Sequence, residues 1–97
     1  MKKQTFIFEI NNKEGKQIDF FRHSLKTLKG VQRKERKFWQ EEREKAIYNK
    51  QKGYSCGSYE QYIKDDNIVV IYKTSCNSSN DNIIYMDTMA NFLKLTI

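Results

Sequence analysis

Residues 22–37 read RHSLKTLKGVQRKERK, and the conformation of this stretch decides what kind of domain the chain forms. It holds Arg22, Lys26, Lys29, Arg33, Lys34, Arg36 and Lys37 against the single acid Glu35, a net +6. The formal charge of the whole chain is also +6, so all residues outside the stretch balance to zero. Read as a helix, the segment brings Arg22, Lys26, Lys29, Arg33 and then Arg36 or Lys37 back to one face, because their spacing alternates between three and four residues. Ile18, Phe21, Leu25 and Leu28 have the same kind of spacing on a different face, where they suit a core. The spacing therefore predicts a helix with an apolar side and a basic side, running to about Lys29. Asp19 is its natural N-cap, since a carboxylate there accepts from the amides of the first turn.

On the C-terminal side, Gly30 either separates this helix from a second one or weakens a single continuous helix by about 1 kcal/mol relative to Ala. Beyond it Val31, Phe38, Trp39, Ala46 and Ile47 form a narrow apolar stripe through an otherwise charged helix that ends at Gly53. Such a stripe seals against a sheet or against a second copy of the chain, so a homodimer is compatible with it. Glu41, Glu42, Arg43, Glu44 and Lys45 reverse the charge balance, with Glu41 and Lys45 at the favourable four-residue separation.

On the N-terminal side, Thr5 to Ile10 alternates aromatic and β-branched residues as a half-buried strand does. Asn11-Asn12-Lys13-Glu14-Gly15 is turn chemistry, leading to a short strand at Lys16 to Ile18 or straight to the helix. After Gly53 comes a loop to Ser58, then Tyr59 to Lys64 as strand or short helix, and a turn at Asp65-Asp66-Asn67. Ile68 to Tyr72 is a continuous apolar run suited to a central strand. Ile83 to Met86 resumes as its antiparallel partner after the polar stretch SCNSSNDN at 75–82. Residues 87–91 suit a helical turn, and Leu93, Leu95 and Ile97 alternate like a last strand. The order predicts a single α+β domain over residues 1–97. Its antiparallel sheet has three to five strands, with one long helix or two consecutive helices packed on one face.

An apolar content of 38% with 13% aromatics excludes compositional disorder in spite of 31% charged residues. No apolar run approaches the roughly 20 residues that span a bilayer, and MKKQTFIFEINN lacks the pattern of a signal peptide. The expectation is a soluble cytoplasmic protein with no membrane partner. Cys56 and Cys76 are too few for a disulfide framework and are not spaced as a metal knuckle, which favours free thiols over a disulfide between them. Abundant Lys, Asn and Ile with no Pro accompanies an AT-rich coding sequence, of the kind common in low-GC bacteria, their phages and mobile elements.

The chain shows no catalytic, cofactor or metal signature. His23 is the only histidine, so two histidines cannot share a metal within one chain. Asp65 and Asp66 are neighbours that point apart, and there is no glycine-rich phosphate loop, paired CxxC or nucleophile elbow. The segments GYSCGSYEQYIKDDNIVVIYKT (53–74) and IIYMD (83–87) resemble the late hairpin of RelE/ParE-type toxins. That resemblance implies a ribonuclease with basic and tyrosine residues on its last strands, where this chain offers only Tyr85 and Lys94.

Three functions follow as expectations. The first is a module that binds DNA, RNA or a nucleoprotein through Arg22, Lys26, Lys29, Arg33, Lys34, Arg36 and Lys37, whose contacts with phosphate position a ligand without reading sequence. Phe38, Trp39 and the tyrosines are then candidates for base stacking, although Trp39 lies on the apolar stripe, where a residue is more often core. The second is a protein-binding inhibitor of phage or mobile-element type, in the manner of the anti-CRISPR proteins, that uses the same patch on an acidic partner. The third is a RelE-like ribonuclease working through His23, Asp66 or Tyr85. A charge run is also what a plain solvated helix face displays.

Overall fold

Alternation of Phe6, Phe8 and Ile10 with Thr5, Ile7 and Glu9 produces β1 (Gln4–Asn11), and all three even-numbered side chains are buried. The structure is a computed structural model that describes residues 2–55, 59–74 and 82–96. Asn12 then turns the chain: its Oδ1 accepts from the amides of Glu14 and Lys16 at 3.1 and 2.8 Å, and Gly15 takes a φ of +87°. Only glycine adopts that conformation without strain. The reversal leads into β2 (Gln17–Leu25), which pairs antiparallel with β1.

The chain then forms α1 (Leu28–Lys52), which Thr27 caps through its Oγ1, accepting from the amide of Gly30 at 3.1 Å. Gly30 thus sits in the first turn of one continuous helix. At the other end Gly53 takes a φ of +76°, and the amide of Tyr54 returns to the Asn49 carbonyl at 2.7 Å. Turns over 59–67 lead to β3 (Ile68–Thr74), β4 (Asn82–Thr88) and the short α2 (Met89–Phe92), itself capped by Thr88.

The sheet order is β2-β1-β3-β4, antiparallel throughout, which makes the fold α+β with β1 and β3 at the centre. Register sets the two faces. Phe8 lies opposite Phe21 and Ile71, Phe6 opposite His23, and Ile10 opposite Asp19 and Val69. Those residues share the face that α1 and α2 cover, and Val31, Trp39, Met89 and Phe92 complete the core there. Phe20, Arg22, Ile7, Val70 and Tyr72 occupy the other face, by the same alternation.

Several expectations are corrected. Residues 18–25 are strand rather than helix, although Ile18, Phe21, Leu25 and Leu28 are all partly buried against the core. The strand puts Asp19, Phe21, His23 and Leu25 under α1, and its two polar members are satisfied from far along the chain. Asp19 accepts from the Tyr62 hydroxyl at 2.9 Å, and His23 meets Glu35 at 2.5 Å. Asp19 is therefore a strand residue and not an N-cap. Residues 59–64 are turns, neither strand nor helix, and no strand follows α2 among the described residues. Of the apolar stripe, Val31, Trp39 and Ala46 are buried against the sheet side while Phe38 and Ile47 are exposed. Cys56, Cys76 and all but the last residue of the polar stretch 75–82 lie outside the described residues.

Candidate nucleic-acid interface

Because the helix begins at Leu28, the seven cations of the 22–37 stretch are distributed over three environments. Arg22 is on the uncovered face of the sheet, opposite Ile7 and beside Phe20 and Tyr72, at a depression of about 240 Å³. Arg36 turns inward, and its Nη1 donates to the carbonyl of Leu95, pinning the C-terminal segment to the helix. Gln40 does the same one turn on, donating to the Leu93 carbonyl at 2.6 Å. The remaining five, Lys26 in the connection and Lys29, Arg33, Lys34 and Lys37 on α1, are exposed. The single basic helix face that joined Arg22 to Arg36 does not form: one end is in a strand, and the other holds the tail.

The two halves of α1 differ in how their charges are satisfied. Among the described residues no carboxylate lies within 4.0 Å of Lys26, Lys29, Arg33, Lys34 or Lys37. In the second half Arg43 pairs with Asp65 at 3.0 Å, Lys45 with Glu42 at 3.3 Å, and Lys50 with Glu60 at 3.2 Å. Lys52 lies over the Tyr48 ring, 5.8 Å from its centroid. Helix stability does not account for Lys29, the one cation of the row in the first turn of α1, because a cation at a helix N-terminus opposes the macrodipole by a few tenths to about 1 kcal/mol. No acidic residue sits in that turn to offset it.

Glu35, the one acid of the stretch, is removed from this surface. It points to the core, where its Oε1 accepts from the Trp39 indole N–H at 2.9 Å and its Oε2 lies 2.5 Å from His23 Nε2. Four residues along a helix bring Glu35 and Trp39 onto one side, and the β2 register brings His23 beneath them. Taking Glu35 inward leaves the exposed part of the stretch purely cationic. It also places His23 in a structural bond, with only about a tenth of its side chain accessible.

Beside this bond, α1 and β2 leave an open groove of about 360 Å³ lined by Phe21, Lys34, Glu35, Lys37, Phe38, Trp39 and Glu41. Trp39 forms its floor, fully buried and stacked on Tyr62 at 5.3 Å. Phe38 makes edge contacts with Trp39 at 4.8 Å and with Tyr59 at 5.8 Å, yet stays 42% exposed. No family model matches this chain, and neither does any curated protein or solved structure. The geometry alone has to carry the reading.

The residues of the ribonuclease reading are dispersed. Tyr85 lies opposite Ile71 on the covered face and packs on Phe92, and burial raises the pKa of its phenol above the ordinary value. Asp66 is exposed in a turn before β3. Among the described residues no group of three or more His, Cys, Asp or Glu could hold a metal ion, and no helix is long and apolar enough to cross a membrane. Phe38 is among the aromatic residues that the sequence offers for stacking, whereas Phe21 is missed as a groove wall because it lies in a strand that its helical spacing disguises.

Proposed function

We propose that the protein binds nucleic acid through the first half of α1, with Lys29, Arg33, Lys34 and Lys37 as the phosphate contacts and Lys26 extending the row. The observation that supports this is the contrast along one helix: among the described residues no carboxylate lies within 4.0 Å of Lys29, Arg33, Lys34 or Lys37, whereas Arg43, Lys45 and Lys50 each have one. Unpaired cations on a rigid element hold counterions that a phosphodiester backbone displaces, which is the main source of such affinity. Contacts of this type position the strand and carry no base preference.

The test is fluorescence anisotropy with labelled single- and double-stranded DNA and RNA across a salt series, beside an Arg33→Glu, Lys37→Glu variant. Four phosphate contacts give a slope of log K against log salt of about −3 to −4, and reversing two of the charges removes at least half of it. Binding that disappears at about 150 mM salt, or that the variant leaves intact, refutes the reading.

One observation favours a second reading, a protein-binding module of the inhibitor type. The uncovered sheet face exposes Phe20 by 52%, Ile83 by 60% and Met86 by 63%, an apolar area suited to a protein partner. A Phe20→Ser, Met86→Ser variant that loses a stoichiometric protein complex while nucleic-acid retention is absent would favour it.

A further inference from the structure

We propose that the groove between α1 and β2 receives one unstacked base, so that the ligand is single-stranded nucleic acid. This rests on the reading of α1 as a phosphate-binding surface and narrows it. The groove opens directly beside that surface. Lys34 and Lys37 belong to both, standing at its rim while Phe21, Phe38 and Trp39 supply its walls and floor. An aromatic slot with cations at its lip matches a nucleotide, whose flat ring stacks and whose phosphate stays at the surface. A purely apolar peptide segment would cover those two lysines without offering them a charged partner of its own.

The acids of the groove agree with this division. Glu35 is held by Trp39 and His23 and not by the lysines of the rim, which leaves Lys34 and Lys37 available to a phosphate. Glu41, one helical turn past Lys37, is an acceptor for the exocyclic amine of a base lying along the slot. Phe38 is preorganised as the stacking platform: two perpendicular ring contacts, to Trp39 and Tyr59, fix its orientation before any ligand arrives. A base held inside a duplex stack cannot enter such a slot without being extruded, which costs a few kcal/mol, and a single strand avoids that cost.

Trp39 is the only tryptophan and lies beneath the groove against Phe38, so its fluorescence is sensitive to a ligand that stacks on Phe38. The experiment titrates the full chain with a labelled 12-nucleotide single strand and with its duplex at near-physiological salt. Anisotropy of the label and Trp39 emission are recorded together, for the native protein, Phe38→Ala and Phe38→Tyr. The proposal expects tighter binding of the single strand than of the duplex and a change in Trp39 emission at saturation. It also expects a loss of about 5- to 100-fold in Phe38→Ala, the weight of one base stack, with Phe38→Tyr retaining affinity. Phe38 is 42% exposed, and the thermal melt of each variant separates a loss of binding from a loss of fold. Anisotropy that rises equally for both ligands, with Trp39 emission unmoved and Phe38→Ala unaffected, overturns the base slot and leaves the cationic surface standing. No rise for any ligand overturns both.

Discussion

Replacing Glu35 by Ala tests the bond that holds β2 under the helix. The carboxylate is only 8% exposed and serves two partners, accepting from Trp39 Nε1 at 2.9 Å and lying 2.5 Å from His23 Nε2. Truncation leaves both groups inside the protein without that partner, and a buried polar group left unsatisfied costs about 1–3 kcal/mol. The lost methylene adds roughly 0.8 kcal/mol. With each unsatisfied group in the lower half of its range, the total is about 3–5 kcal/mol, which agrees with what breaking a buried pair from one side usually costs. That is a large share of the roughly 5–15 kcal/mol by which domains are stable, and it lowers the melting temperature by roughly 15–35 °C.

Glu35→Gln keeps one oxygen for the indole and loses less, about 1–2 kcal/mol. Urea unfolding followed by Trp39 fluorescence and by far-ultraviolet circular dichroism measures both variants. A double-mutant cycle with His23→Ala isolates the coupling, expected at about 1 kcal/mol or more. A Glu35→Ala loss below about 1 kcal/mol would refute the reasoning, because a carboxylate that matters so little is hydrated and is not what keeps His23 turned inward.

Three further outcomes follow from local geometry. Gly53→Ala places a β-carbon at a φ of +76° and is expected to destabilise by about 1–2 kcal/mol in the same urea assay. The Tyr85 hydroxyl is buried with no hydrogen-bond partner among the described residues. Tyr85→Phe should therefore leave stability unchanged or raise it by up to about 1 kcal/mol, and should remove a late-titrating phenol from the alkaline absorbance curve. Asp87 is held below the ordinary aspartate pKa by the Asn91 amide and then by the Thr88 N–H. A depressed carboxyl contributes stability that is present above its unfolded pKa and lost as the pH falls through the native value. Asp87→Asn should thus flatten the fall in stability below about pH 4, read from melts at a series of acidic pH values.

The elements that were legible from sequence are those whose own residues satisfy them. β1, β3 and β4 carry their apolar alternation or apolar runs in their own side chains, and α1 ends where Gly53 supplies the left-handed cap. The concentration of charge in 22–37 was equally plain, and Lys29, Arg33, Lys34 and Lys37 do lie together on the exposed side of α1. Arg22 and Arg36 were misplaced because their surroundings come from elsewhere: a partner strand for one, the Leu95 carbonyl for the other.

β2 shows most clearly where local reading ends. Two of its four inward positions, Asp19 and His23, are polar, so the strand alternation is hidden while a chance helical spacing of Ile18, Phe21, Leu25 and Leu28 stands out. What makes the strand viable is hydrogen bonding from Tyr62, 43 residues away, and from Glu35, 12 residues away. The sequence by itself determined the charge, the class of fold and the strands and helix end that bury or cap themselves. Only the tertiary structure decided β2, the inward turn of Glu35 and the aromatic groove beside Lys34 and Lys37, because a polar side chain goes inside only when a distant partner is there to receive it.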